Sequence, residues 1–315
     1  VYAREVGRFL VWLRFERPGV TPATLSVQDA AAFIAFLREI PAKYISRRKA
    51  APGEIGWAPF RGQLKPGSRR QALTVVSSWL DWLVQARHIT ANPFALVARK
   101  QGDDRQARHP IKAFSEPAMG ELLRFFRTAP PSPAIHRMQF LLRFGEATGL
   151  RAAELLNARL AHLVSLPEGL ALTIHGKGAK NRHVPLSRQA RDALEIYLAA
   201  RGLGGIAQAA PGTPLLTSAP DPLEAISYSA LYATVRTWLA KAVRDSALPV
   251  HERHQLTLAS THWLRHTFGT RAIERGAAPD AVQETMGHAS PAMTARYTRA
   301  NAKRQFTEIG KVFGR

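Results

Sequence analysis

The sequence contains no cysteine among its 315 residues. That excludes a disulfide framework, a thiolate metal site and a cysteine nucleophile. It is also short of acid: 23 Asp and Glu stand against 44 Lys and Arg, a formal net charge of +21. Long apolar runs are missing too. The longest, Ala30 to Leu37, falls well below the roughly 18 residues of a bilayer span, so no transmembrane helix is expected. What is present is ordinary globular material, 46% hydrophobic and 21% charged, which argues against wholesale disorder. The length suggests about two domains at roughly 100–200 residues each.

The excess of base over acid points to a polyanionic partner, nucleic acid first and an anionic membrane surface second. The charge is not a tail. Residues 1–100 carry 16 basic and 6 acidic side chains, a net of +10, and the remainder carries +11. Both halves are therefore expected to touch the same polyanion. A GC-rich genome would explain Arg over Lys but not the two-to-one excess over acids.

Tyr2, Val6, Phe9, Leu10 and Leu13 recur at helical spacing from the first residues, and a segment upstream of Val1 is expected. Pro18, Gly19 and Pro22 end that helix. A second helix is predicted over Val27 to Glu39, with Ser26 as N-cap. The stretch 41–68, rich in Pro and Gly and carrying Arg47, Arg48 and Lys49, reads as a long basic loop, either a flexible surface loop or a direct DNA contact. A third helix is predicted from Arg69 to Ala86. Residues 99–112, RKQGDDRQARHPIK, are polar and aperiodic, the best linker candidate. This divides the chain into a helical domain, 1–98, and a second domain, 113–315, whose first helix starts at a Ser115 cap. In the second domain Leu170, Leu172 and Ile174 alternate, the basic turn GKGAKN follows, and Arg182 to Leu186 returns, which predicts a β-hairpin. Helices are predicted over 188–200 and 229–244, joined by a Gly, Pro and Ala-rich connection over 201–222. There is no internal repeat.

Chemistry-bearing residues gather in four places: Thr148-Gly149-Leu150-Arg151-Ala152-Ala153-Glu154-Leu155, Gly176-Lys177-Gly178, Ser260 to Thr270, and Met286-Gly287-His288 with Tyr297 nine positions on. Wound at about 100° per residue, a helix over this third stretch sets His262, Arg265, His266 and Gly269 in one narrow sector beside an apolar sector of Leu264, Phe268 and Ala272. Gly269 would leave bare backbone for a bulky group to approach, at a cost of about 1 kcal/mol against Ala. His262 and His266 stand at zinc-ligand spacing, but Trp263 occupies the place where a zinc protease needs Glu, and Arg265 sets a fixed cation beside them. Metal binding is not expected.

Two arginines bind phosphate oxygens in two-point fashion and would stabilise the charge of a pentacoordinate transition state. No carboxylate cluster of metal-binding spacing appears, so the cations would come from protein. A lysine on a hairpin tip would protonate a leaving alkoxide. Tyrosine, with a free pKa of about 10, would need neighbouring cations or a base to attack. Lys177, Lys180 and Arg182 are all also candidates for ordinary phosphate contacts, and Tyr297, on one helix face with Met293, for a core position.

TGLRAAEL, HGKGAKNRHVPL, THWLRHTFGT and MGHASPAMTARY, in this order and spacing, resemble the tyrosine recombinase (phage integrase) family over nearly the whole chain. The resemblance implies a mainly α protein with a small β-hairpin or sheet: a helical core-binding domain and a mixed α+β catalytic domain forming a C-shaped clamp on DNA. It implies that Arg151 and Arg265 clamp the scissile phosphate, Lys177 is general acid for the 5′ oxygen, and His262 moves the proton of the nucleophile. It further implies that His288 hydrogen-bonds the phosphate and that Tyr297 forms a 3′-phosphotyrosyl link. Glu154 and His266 would support these from behind. Arg47, Arg48, Lys49, Arg69, Arg70, Lys180 and Arg182 are the further DNA-contact candidates. Three features depart from the family pattern: Met286 in place of the usual Leu, Trp263, and the length of 41–68. No cofactor is implied. The implied partner is double-stranded DNA with inverted half-sites, bound by a homo-tetramer that is a monomer or dimer off DNA. The implied reaction is strand exchange through a Holliday junction for a mobile element, in the bacterial cytoplasm at the nucleoid and not at a membrane. Phe306, Ile309 and Phe313, at helical spacing, would dock on a neighbouring protomer or pack on their own domain. The competing functions are an inactive architectural or regulatory DNA-binding protein and a DNA-relaxing enzyme of type IB kind.

Overall fold

A computed structural model describes residues 1–48, 50–97, 112–176, 181–218 and 223–298. Lys49, most of the expected linker, Lys177, Lys180 and the C-terminal stripe of Phe306, Ile309 and Phe313 lie outside the described residues. The chain divides into two compact units, Val1–Arg108 and His109–Arg315. It is mostly helical, with one three-stranded sheet among the described residues. None of the described helices is long and apolar enough to cross a membrane.

The first unit holds α1 (Tyr2–Glu16), α2 (Val27–Arg38), α3 (Pro66–Gln85) and α4 (Pro93–Leu96). Each longer helix buries one stripe: Phe9, Trp12 and Leu13 from α1, Ala30, Phe33 and Leu37 from α2, and Ala72, Val76 and Leu80 from α3. Phe9 meets Phe33 edge-on at 4.9 Å between ring centroids, and Phe94 of α4 closes the cluster. Ser26 caps α2 as predicted: its Oγ accepts from Asp29 N (3.2 Å) and Asp29 accepts from Ser26 N (3.0 Å). Helix α3 starts three residues earlier than expected, because Pro66 already has the backbone angle of a first helical turn and gives up only an N–H that lacks a partner there.

The stretch 41–65 departs from the open loop expected of it. Ile40, Tyr44, Ala58 and Phe60 are buried, Ile45 and Phe60 form a parallel bridge, and Gln63 pairs with both the N–H and the carbonyl of Ile40 (2.9 and 2.7 Å). Aromatic residues spaced too irregularly to read as an element nevertheless supply enough apolar area to fasten the segment to the unit. Its tip stays out: Arg47, Arg48 and Ile55 are exposed.

The second unit holds α5 (Glu116–Thr128), α6 (Pro133–Thr148), α7 (Ala152–Asn157), then β1 (Leu163–Leu166), β2 (Gly169–His175) and β3 (Asn181–Pro185). Helices α8 (Arg188–Ala200), α9 (Tyr228–Arg244), α10 (Val250–Leu256), α11 (Thr261–Glu274), α12 (Pro279–Met286) and α13 (Pro291–Thr298) follow. Ser115, Ser132, Ser187 and Ser227 each accept from the N–H three residues on, which sets the starts of α5, α6, α8 and α9. Helix α6 is the central rod, burying Ile135, Met138, Phe140, Leu141, Leu142 and Phe144 among α5, α8, α9 and α11. The strands run antiparallel in the order β1-β2-β3, with Leu163 opposite Leu172 and Leu172 opposite Val184. The hairpin was expected; β1 was not. Its four residues are too few for alternation to register, although Pro167-Glu168-Gly169 between two apolar runs is a turn signal.

Candidate active site

Helices α6 and α11 cross closely where Gly149 ends α6. A methyl group there would lie 2.5 Å from the Phe268 ring, so only a glycine lets Phe268 seat. That contact brings the loop after α6, with Arg151, to the side of α11 that bears Arg265. Arg265 donates to Gly149 O (2.8 Å) and Met286 O (2.5 Å). Arg265 is only 3% exposed, because α12 and α13 pack against α11 on that sector. Burial first, and the positive charge of Arg151 second, lower its pKa to about 10, which leaves it cationic at neutral pH. Arg151 is more open, with 41% of its side chain exposed.

Arg151 donates to Glu154 Oε1 (2.7 Å) and to Gly287 O (3.0 Å), and Glu154 Oε2 accepts its backbone N–H (2.9 Å). Arg182 of β3 reaches the same carboxylate with both terminal nitrogens (3.0 and 2.8 Å) and sets Nε on Thr285 O (3.0 Å). Expected as a phosphate contact, Arg182 has these donors engaged inside the protein, with 13% of its side chain exposed. Burial alone would raise the Glu154 carboxyl, but hydrogen bonds from Arg182 and Arg151 outweigh it and hold the group below its ordinary range.

Tyr297 from α13 lies over Gly269, where a methyl group would stand 2.8 Å from its ring. The bulky neighbour for which that bare backbone leaves room is thus Tyr297. The phenol is buried, and its oxygen is 2.9 Å from His266 Nδ1. The imidazole nitrogen at that distance belongs to His266. His262 is exposed and stands edge-on to His266 at 4.5 Å. The sector was legible from helical spacing, but the approach of the phenol to His266 depends on how α13 crosses α11. His288 stacks near Tyr297 at 6.2 Å, and its Nδ1 is 2.7 Å from Thr294 Oγ1. Thr294 was not foreseen, although its place three residues before Tyr297 puts both on one helix face.

Trp263, the departure from the family pattern, is buried against Phe114 at 5.6 Å. Thr267 accepts from Phe114 N (2.9 Å), and Arg271 donates to Phe114 O (3.5 Å) and Ser115 O (3.3 Å) and pairs with Glu146. Arg47, Arg48 and Arg70 are exposed and Arg69 is half-buried on the first unit, with Arg69 donating to Arg38 O (3.4 Å).

Three separate stretches of the second unit, the turn before α7, α11, and the segment from the end of α12 through α13, thus bring two arginines, three histidines and a tyrosine together. The profile of the phage integrase family matches residues 115–304, which spans all of them. The chain belongs to the phage integrase family. Within that family it is 31% identical over 240 residues to the tyrosine recombinase XerC of Anoxybacillus flavithermus, covering 75% of this chain and 73% of that one. It is 27% identical over 314 residues to the tyrosine recombinase XerD of Chlorobaculum tepidum, covering 99% and 88%. The fold is that of this phage integrase family's solved members. XerH site-specific recombinase, bound to a palindromic difH substrate, superposes with a TM-score of 0.66 at 16% identity, covering 98% of this chain and 78% of that one. The Tn1549 transposon integrase, in complex with circular intermediate DNA, gives 0.59 at 17%, covering 92% and 87%. As a phage integrase family member with these relatives, the chain is a tyrosine-type site-specific recombinase.

Proposed function

We propose that this recombinase cleaves and rejoins double-stranded DNA through a covalent 3′-phosphotyrosyl intermediate. The Tyr297 oxygen attacks phosphorus and gives up its proton to the imidazole pair His262 and His266. The bond from phosphorus to the 5′ oxygen breaks, and Lys177 protonates that oxygen. Arg151 and Arg265 neutralise the phosphate and the charge that grows on it, and His288 donates to a phosphate oxygen. The diester energy is kept in the tyrosyl bond, so religation to another strand needs no nucleotide. The observation that carries this reading is the convergence of Arg151, Arg265, His266, His288 and Tyr297, with the Tyr297 hydroxyl 2.9 Å from His266.

The finer reading is exchange between inverted half-sites by a homo-tetramer passing through a Holliday junction, in service of a mobile element, in the bacterial cytoplasm at the nucleoid. Domain limits of 1–98 and 113–315, with both domains on one duplex, fit the near-equal division of net charge along the chain. A nicked suicide substrate tests the chemistry. The unaltered protein should accumulate a covalent DNA adduct that Tyr297→Phe abolishes. An adduct that survives Tyr297→Phe, or none on any cognate site, overturns the reading.

A further inference from the structure

The carbonyls of Thr285, Met286 and Gly287 end α12, and each receives one guanidinium: Arg182 on Thr285 (3.0 Å), Arg265 on Met286 (2.5 Å) and Arg151 on Gly287 (3.0 Å). A helix leaves its last carbonyls without intrahelical partners and gathers partial negative charge there, so three cations suit this end. The residue that follows is His288. Two of the three arginines belong to the proposed phosphate clamp. The third, Arg182, has no part in the proposed chemistry.

Its geometry is demanding. The fork grips both oxygens of Glu154, the same carboxylate that holds the Arg151 side chain and backbone N–H. The third donor turns to the end of α12. Gly287 has φ +60°, a conformation that favours glycine, and a methyl group there would stand 3.0 Å from Arg182 Nη1, so the turn and the guanidinium are closely packed. Arg182 also sits on the strand that follows the turn sequence containing Lys177.

We infer that Arg182 is a positioning residue of the recombination site, joining the strand after the Lys177 turn, the Glu154–Arg151 pair and the His288 turn into one frame. The inference rests on the proposed roles of Arg151, Lys177 and His288. A planar fork with a third donor is required, and an ammonium cannot make those bonds from one place. A phosphate contact, in contrast, would be served by lysine as a point charge.

The test uses the full chain carrying Arg182→Lys, Arg182→Gln and Glu154→Gln. The first readout needs no catalysis: amide hydrogen exchange should quicken at 286–288 in both Arg182 variants, while α5 and α8 keep their protection. Unchanged exchange at 286–288 overturns the frame. The second readout separates rate from affinity on a nicked suicide DNA. Both Arg182 variants should form adduct at least 100-fold more slowly at saturating protein, with DNA affinity and its salt slope within about 2-fold. Arg182→Gln combined with Glu154→Gln should be little worse than either alone, since both act through one carboxylate. Normal adduct rates in Arg182→Lys, or a loss confined to affinity and salt slope, would make Arg182 a DNA contact and overturn the inference. If the unaltered protein forms no adduct, the proposed chemistry fails, and hydrogen exchange still judges the frame.

Discussion

The DNA-contact candidates of the first unit and the site arginines of the second stand in opposite surroundings. In the first, Arg47, Arg48 and Arg70 are exposed over a core of Phe9, Phe33 and Phe94. In the second, Arg265 and Arg271 are buried, and Arg182 nearly so, each aimed at a backbone carbonyl or a carboxylate. A surface arginine adds affinity for a polyanion and loses most of it to salt. A buried one is fixed in direction and weakly screened. The first arrangement suits holding a backbone; the second suits meeting one phosphate in one orientation.

Substitutions break this comparison at different depths. Phe33→Ala should cost about 3–5 kcal/mol, read as a lowered urea midpoint for the first unit while the second keeps its own transition. Gly269→Ala pushes a methyl into the Tyr297 ring and should cost about 1–3 kcal/mol by overpacking; a calorimetric scan and the adduct rate should both drop. Ser26→Ala removes the α2 cap for about 1 kcal/mol, visible in the same denaturation curve as Phe33→Ala but far smaller. Replacing Arg47 and Arg48 by Ser should change stability by less than about 0.5 kcal/mol, and would lower the log–log salt slope of DNA binding by about 0.9 for each phosphate no longer neutralised. An unchanged slope would remove both from the DNA surface.

Glu154 supplies the pH test. Its folded pKa lies below the ordinary value of 4.5, so its ionised form is favoured by folding. The stabilisation it brings is present above that ordinary value and is lost as pH falls through the lower folded one. Urea midpoints should therefore fall more steeply below about pH 4.5 in the unaltered protein than in Glu154→Gln. Equal slopes would show that the carboxylate is not held by its arginines.

Much of this was legible in residue order, and the legible part shares a cause. Ser26, Ser115 and the span of α8 are governed by neighbours in sequence, so caps and periodicity found them. The sector of His262, Arg265 and Gly269 followed from helical geometry alone. What escaped depends on partners far along the chain. The burial of Arg265 needs Met286, the pairing of Tyr297 with His266 needs the crossing of α13, and the folding of 41–65 needs Gln63 to meet Ile40. Arg182 read as one more basic residue because its partner Glu154 is 28 positions away.

The anchoring of Phe114 has a mechanical consequence. Its N–H ends on Thr267, its carbonyl on Arg271 and its ring on Trp263, all three on α11. A displacement of residue 114 is therefore felt by the helix of Arg265 and His266, which is itself joined to α6 through Arg271 and Glu146. The entry segment of the second unit and the helix that carries Arg265 and His266 are in this way one packed piece.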